Sequence, residues 1–132
     1  MKNLRMLLAA AFVAGSLGTA HADRDHDNHT ISIFTPPLRG VKFVCATLNA
    51  SNKTLAVVIN LIDETGVMFN TVTQSVASGQ SFDDGPPVNA PNGLATAYCR
   101  VDVSGGDGDD VRVDLGGFQA DGKVLQGVVQ GH

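Results

Sequence analysis

The chain has no tryptophan, one tyrosine (Tyr98) and four histidines. Recognition surfaces lean on tryptophan and tyrosine, so no large preformed adhesive face is advertised. Apart from His21, the histidines are His26, His29 and His132, each close to one end of the chain. No Ser-His-Asp or Cys-His constellation can be assembled within the body of such a chain. The Gly-x-Ser-x-Gly and Ser-x-x-Lys nucleophile motifs are missing too. Basic residues are few: nine Lys and Arg against 13 Asp and Glu, with no basic cluster, for a formal net charge of −4. That balance excludes nucleic acid and anionic lipid as partners. No apolar run suits stable membrane insertion, no apolar pattern after residue 22 repeats with helical period, and no motif implies a cofactor.

What is present begins with a leader. Lys2 and Arg5 form a positive n-region, MLLAAAFVAGSLG an apolar core, and Ala20-His21-Ala22 a small-x-small cleavage site. Residues 1–22 therefore read as a bacterial-looking signal peptide, which places the mature protein in the periplasm or the medium. No cysteine lies near the cleavage site, so no lipid anchor is expected. Residues 23–30 are wholly polar up to His29 and read as a disordered arm. Residues 31–132 then make one domain.

That domain reads as all-β, in seven or eight short strands. Its centre is Val41 to Asp63, where two apolar strands flank a polar turn, Asn49 to Lys53, and the first strand carries Cys45. The second, Leu55 to Ile62, is apolar on both faces, as befits a strand with neighbours on either side. Pro36-Pro37 confines the strand at Ile31 to Phe34 to a sheet edge. Asp63-Glu-Thr-Gly66 is a tight turn, and Val67 to Val76 a Thr-rich strand. Ser78 to Gly93 is a long irregular passage with a brief strand near Phe82. Gly116-Gly117 should bend or bulge a strand, and Asp121-Gly122 turns the chain into a last one.

The strand Cys99 to Val103 and the strand Val111 to Leu115 both alternate apolar with charged residues. Paired as a hairpin around Asp107, they would set Arg100 opposite Asp114 and Asp102 opposite Arg112. Two cysteines in an exported chain form one disulfide most simply, Cys45 with Cys99. Closing a loop of roughly 55 residues contributes about 4 kcal/mol in the chain-entropy model. With this spacing the chain resembles an immunoglobulin-like domain and its inter-sheet bridge, which implies a small antiparallel β-sandwich. The pattern differs in having no tryptophan after Cys45 and in placing Tyr98 directly before Cys99.

Candidate sites are few. His26 and His29, set among Asp23, Asp25 and Asp27, offer imidazole and carboxylate donors suited to zinc, copper or nickel. Gly105 to Val113 resembles one nonapeptide of the calcium-binding β-roll, with Asp107, Asp109 and Asp110 as donors and Arg112 where a large apolar residue belongs. A glycine-rich loop with solvated aspartates suits the same residues. The long passage offers Asp83, Asp84, Asn89 and Asn92 as a binding loop. The reading that results is an exported, non-catalytic β-sandwich with a binding or structural role in the bacterial envelope or outside the cell. Its partner would be a protein or glycan, met through the loops or an exposed edge, and edge strands could also pair between copies. The alternative is a metal- or calcium-binding exported protein.

Overall fold

The computed structural model describes residues 29–131. The leader at 1–22, most of the arm at 23–30, and the candidate ligand His26 lie outside them. The described residues form ten strands: β1 Thr30–Phe34, β2 Leu38–Gly40, β3 Lys42–Asn49, β4 Leu55–Asp63, β5 Met68–Val76, β6 Ser81–Asp83, β7 Val88–Asn89, β8 Ala95–Ser104, β9 Val111–Phe118 and β10 Leu125–Gly131. The fold is all-β, as the sequence pattern required, and no helix among the described residues is long and apolar enough to cross a membrane.

Two antiparallel sheets share the strands in a sandwich-like arrangement. The first runs β1-β8-β4-β5, with β2 also paired to β8; the second runs β10-β9-β3-β6, with β7 also paired to β3. Period-two alternation sends Leu55, Val57, Ile59, Leu61, Ala97, Cys99, Val101 and Val103 inward from the first sheet. Phe43, Cys45, Val111, Val113 and Leu115 meet them from the second, forming one buried core. Each large side chain so enclosed contributes about 1.5–3 kcal/mol. The Cys45–Cys99 disulfide joins β3 to β8 through that core, with Cα atoms 6.0 Å apart.

Several local expectations hold. Strand β1 lies at a sheet edge, and β2 resumes on β8 once Pro36-Pro37 is past. Strand β4 is central, between β8 and β5. The turn after it is built by Asp63, whose Oδ1 accepts from the Thr65 and Val67 amides and the Thr65 hydroxyl. Gly66 takes a φ of 84° there, a conformation open to glycine at no steric cost.

The predicted β8–β9 hairpin does not form. Strand β8 pairs with β1, β2 and β4, while β9 pairs with β3 and β10 in the opposite sheet. Arg100 meets Asp102 of its own strand at 3.2 Å, not Asp114. The alternation specified which side chains face inward, and two strands facing each other across a core have the same inward pattern as two paired side by side. A 3-10 turn at Gly108–Asp110 carries the chain across instead. The expected bend at Gly116-Gly117 is likewise displaced. Both glycines stay in register with β3, and the irregularity falls opposite, between Leu125 and Gly127 of β10. What Gly117 permits is close approach: a Cβ there would lie 3.0 Å from Leu38 Cδ2.

Of the connections, those after β4 and β9 are hairpins, whereas those after β2, β3, β5, β7 and β8 pass from one sheet to the other.

Candidate functional site

The residues singled out from the sequence fall at separate places. Asp107, Asp109 and Asp110 surround the 3-10 turn, where Asp110 Oδ2 accepts the Asp107 amide at 3.0 Å and closes the turn on itself. That turn abuts the start of the β3–β4 connection, since the Ala50 amide donates to the Asp110 carbonyl. Asn89 pairs with Lys42, at the other end of β3 from Asn49. Asn92 is exposed in the loop that follows. The two loop groups are therefore not brought together. His29 is exposed at the start of the described chain, and among the described residues no three His, Cys, Asp or Glu side chains cluster as a metal site.

Asp83 and Asp84, adjacent in sequence, have different fates. Asp83 ends β6, and its carboxylate accepts the Gly85 amide in an exposed turn. Asp84 turns inward and is 8% exposed. Its Oδ1 accepts the Cys45 amide at 2.9 Å, and its Oδ2 accepts from Asn70 Nδ2 at 2.8 Å. The Asp84 amide in turn donates to the Cys45 carbonyl. The carboxylate thus ties β3 in one sheet to β5 in the other, beside the disulfide. Burial pushes its pKa above the ordinary carboxylate value, against the opposing pull of the bonds from Cys45 and Asn70.

Next to this tie the sandwich is open. Strands β5 and β6 end their respective sheets and are joined by the short crossing at 77–80. Between them lies a groove of about 240 Å³, lined by Gln74, Ser75, Val76, Ala77, Gln80, Ser81 and Phe82. Its polar side chains are amides and hydroxyls, which hydrogen-bond but do not exchange protons near neutral pH. It is smaller than the 300–1,000 Å³ or so usual for a small-molecule site.

Two polar constructions escaped the sequence reading. Asn49, taken there as the start of a solvated turn, is buried at the arch between β3 and β4. Its Nδ2 donates to the Lys53 and Val76 carbonyls, and its Oδ1 accepts from the Ser51 amide and hydroxyl. The second is a ladder on the outer face of the first sheet. Ser32 donates to Asp102 Oδ1 at 2.6 Å, Asn60 Nδ2 donates to Asp102 Oδ2 at 3.2 Å, and Thr71 donates to Asn60 Oδ1 at 2.9 Å. The polar residue in the apolar run of β4 was the one available signal for Asn60, which is only 2% exposed. Beside the ladder, Phe34 and Tyr98 pack with ring centroids 6.4 Å apart.

Comparison of the chain with protein-family models, with curated proteins and with solved structures finds no match.

Proposed function

We propose that the protein is an exported, non-catalytic sandwich domain of immunoglobulin-like architecture with a binding or structural role in the bacterial envelope or extracellular space. The observation that carries this reading is the Cys45–Cys99 bridge, which joins the two sheets with both cysteines wholly buried. A bridge of this kind belongs to oxidising compartments, and it agrees with the leader-like sequence at 1–22. The immunoglobulin-like part is supported by a bridge between interior strands of opposite sheets and by the pairing of β4 with β8. It departs in strand order: β9 lies beside β3, where immunoglobulin order would set it beside β8, and β1 lies beside β8, where that order would set it in the sheet of β3.

A non-catalytic role is supported by the chemistry of the open side. Asp84 is closed in by two internal hydrogen bonds, and the groove offers amides and hydroxyls alone as polar groups. A protein or glycan partner would meet the passage Ser78 to Gly93, the loop Ser104 to Asp110, or a sheet edge. The test is to express the full chain in a bacterium and fractionate the cells. Material starting at Asp23, recovered outside the cytoplasm and resistant to alkylation until reduced, is the expected result. Cytoplasmic material with both thiols free would overturn the reading. Passing envelope extract over the immobilised protein then separates the roles, because retention of nothing at any salt concentration would leave only the structural one.

A further inference from the structure

The two sheets present four edges, and three of them are blunted. The β1/β2 edge is broken by Pro36-Pro37, neither of which can donate to a ladder. The β6/β7 edge consists of segments of three and two residues separated by Pro86-Pro87. The β10 edge carries an irregularity between Leu125 and Gly127, and its end is packed against β1: a Cβ at Gly131 would lie 2.8 Å from the Phe34 carbonyl oxygen. Such interruptions are how soluble proteins prevent strands from pairing between molecules.

Strand β5 has one irregularity, at its start, where Met68 and Asn70 face the consecutive residues Ile62 and Leu61 of β4, and it pairs regularly from Asn70 to Val76. It is nine residues long, MFNTVTQSV, without proline, glycine or charge, and among the described residues it is paired on one side only, to β4. The chain holds no Asp, Glu, Lys or Arg between Glu64 and Asp83. Thr71, Thr73, Gln74 and Ser75 are exposed, and Val72, opposite the buried Ile59, is only half-buried because nothing lies beyond it. Its Thr, Val and Ser side chains suit cross-strand pairing.

We propose that β5 is a homodimerisation edge, pairing antiparallel with β5 of a second copy about a twofold axis. Charge selects the occupant. The chain carries a net charge of −4, so two copies repel in general, yet along β5 they bring no like charges together. The geometry also closes. A twofold contact uses the same strand of both copies, and the far edge of the sheet is broken by the proline pair, so two five-stranded sheets join and growth stops. The proposal is independent of the export reading and holds in either compartment.

Sedimentation equilibrium of the purified, disulfide-bonded protein tests it. The expected result is a concentration-dependent doubling of mass, with slowed amide exchange across 68–76 in the dimer. Thr73→Lys/Ser75→Lys places positive charges along the seam on exposed side chains and should give a monomer. Thr73→Glu/Ser75→Glu should do the same, and an equimolar mixture of the two variants should recover the dimer mass. Circular dichroism and the melting temperature verify that each variant folds, with single substitutions at Ser75 as the milder pair. A wild-type monomer at every concentration would overturn the proposal, whether or not the edge then accepts a foreign strand. So would open-ended assembly, or a dimer indifferent to both charge variants.

Discussion

At the residue scale, two carboxylates are pulled in opposite directions by their surroundings. Burial raises the pKa of Asp84, so the folded state holds that proton more tightly than the unfolded chain does. Stability from this group therefore falls as pH rises from about 4 through the folded value. Asp84→Asn keeps an acceptor for the Cys45 amide, and Asn70 can turn its own amide to suit. The variant should be at least as stable as wild type at pH 7, with its advantage shrinking toward pH 4 in urea titrations. A large loss at pH 7 would show that the charge is needed. For Asp63 the Thr65 hydroxyl is the main cause of a lowered pKa, followed, past a smaller opposing effect of burial, by the Val67 and Thr65 amides. Its contribution is present above the unfolded value of about 4 and is lost as pH falls through the folded one. Asp63→Asn should destabilise at pH 7, and the gap to wild type should close in acid. A third residue carries an internal conflict: Thr47 Oγ1 is buried with no hydrogen-bond partner among the described residues. Replacing the hydroxyl with a methyl of similar shape, Thr47→Val, should stabilise by about 1 kcal/mol, visible as a melting temperature several degrees higher. A lower melting temperature would mean that the hydroxyl has a partner in solution.

At the element scale, the arch between β3 and β4 depends on one side chain. Asn49 bonds two carbonyls and one amide at the crossing, and only the Lys53 carbonyl among them has a second side-chain donor, the Ser51 hydroxyl. Asn49→Ala should destabilise by about 3 kcal/mol, since a buried group left unsatisfied costs about 1–3 kcal/mol and more than one is affected here. A loss below about 0.5 kcal/mol in chemical denaturation would indicate that water replaces the amide. The contrast between Asn49 and Asp63 shows which elements are legible in sequence. The Asp63 turn is read easily because its donors lie within four residues of it. The role of Asn49 depends on Val76, 27 residues away, and that of Asp84 on Cys45, 39 residues away. No local pattern carries such partners, so the sequence shows Asn49 only as the start of a polar turn and Asp84 only as a residue of a candidate binding loop. The β8–β9 strands failed for a related reason: their alternation is a statement about faces, and neighbours in a sheet are a separate matter.

At the scale of the whole molecule, the bridge is the largest single contribution that can be isolated. With the cysteines separated by 54 positions in sequence, its removal should cost about 4 kcal/mol in the chain-entropy model, a large part of a domain stability of about 5–15 kcal/mol. The double variant Cys45→Ala/Cys99→Ala should show that loss in equilibrium unfolding, while retaining the strand signature in circular dichroism if the core suffices to define the fold. A variant as stable as wild type would mean that the reduced chain is already constrained by other means. The candidate site also belongs to this scale. Asp84, Asn92, Asp107, Asp109 and Asp110 lie outside the strands as the sequence suggests, whereas Asp83 and Asn89 end β6 and β7, and the groove between β5 and β6 exists only because two sheets end side by side.

Residue order along the chain was enough to establish an all-strand body, its inward-facing side chains, the edge position of β1, the central position of β4 and the pairing of the two cysteines. Each follows from short-range stereochemistry, from period-two burial, or from there being one available partner. Assignment of strands to sheets came from the folded molecule, as did the inward turn of Asp84, the arch at Asn49 and the position of β5 at a sheet edge. These depend on which strands compete for the same hydrogen-bonding neighbours, and five of the connections resolve that competition by crossing the core.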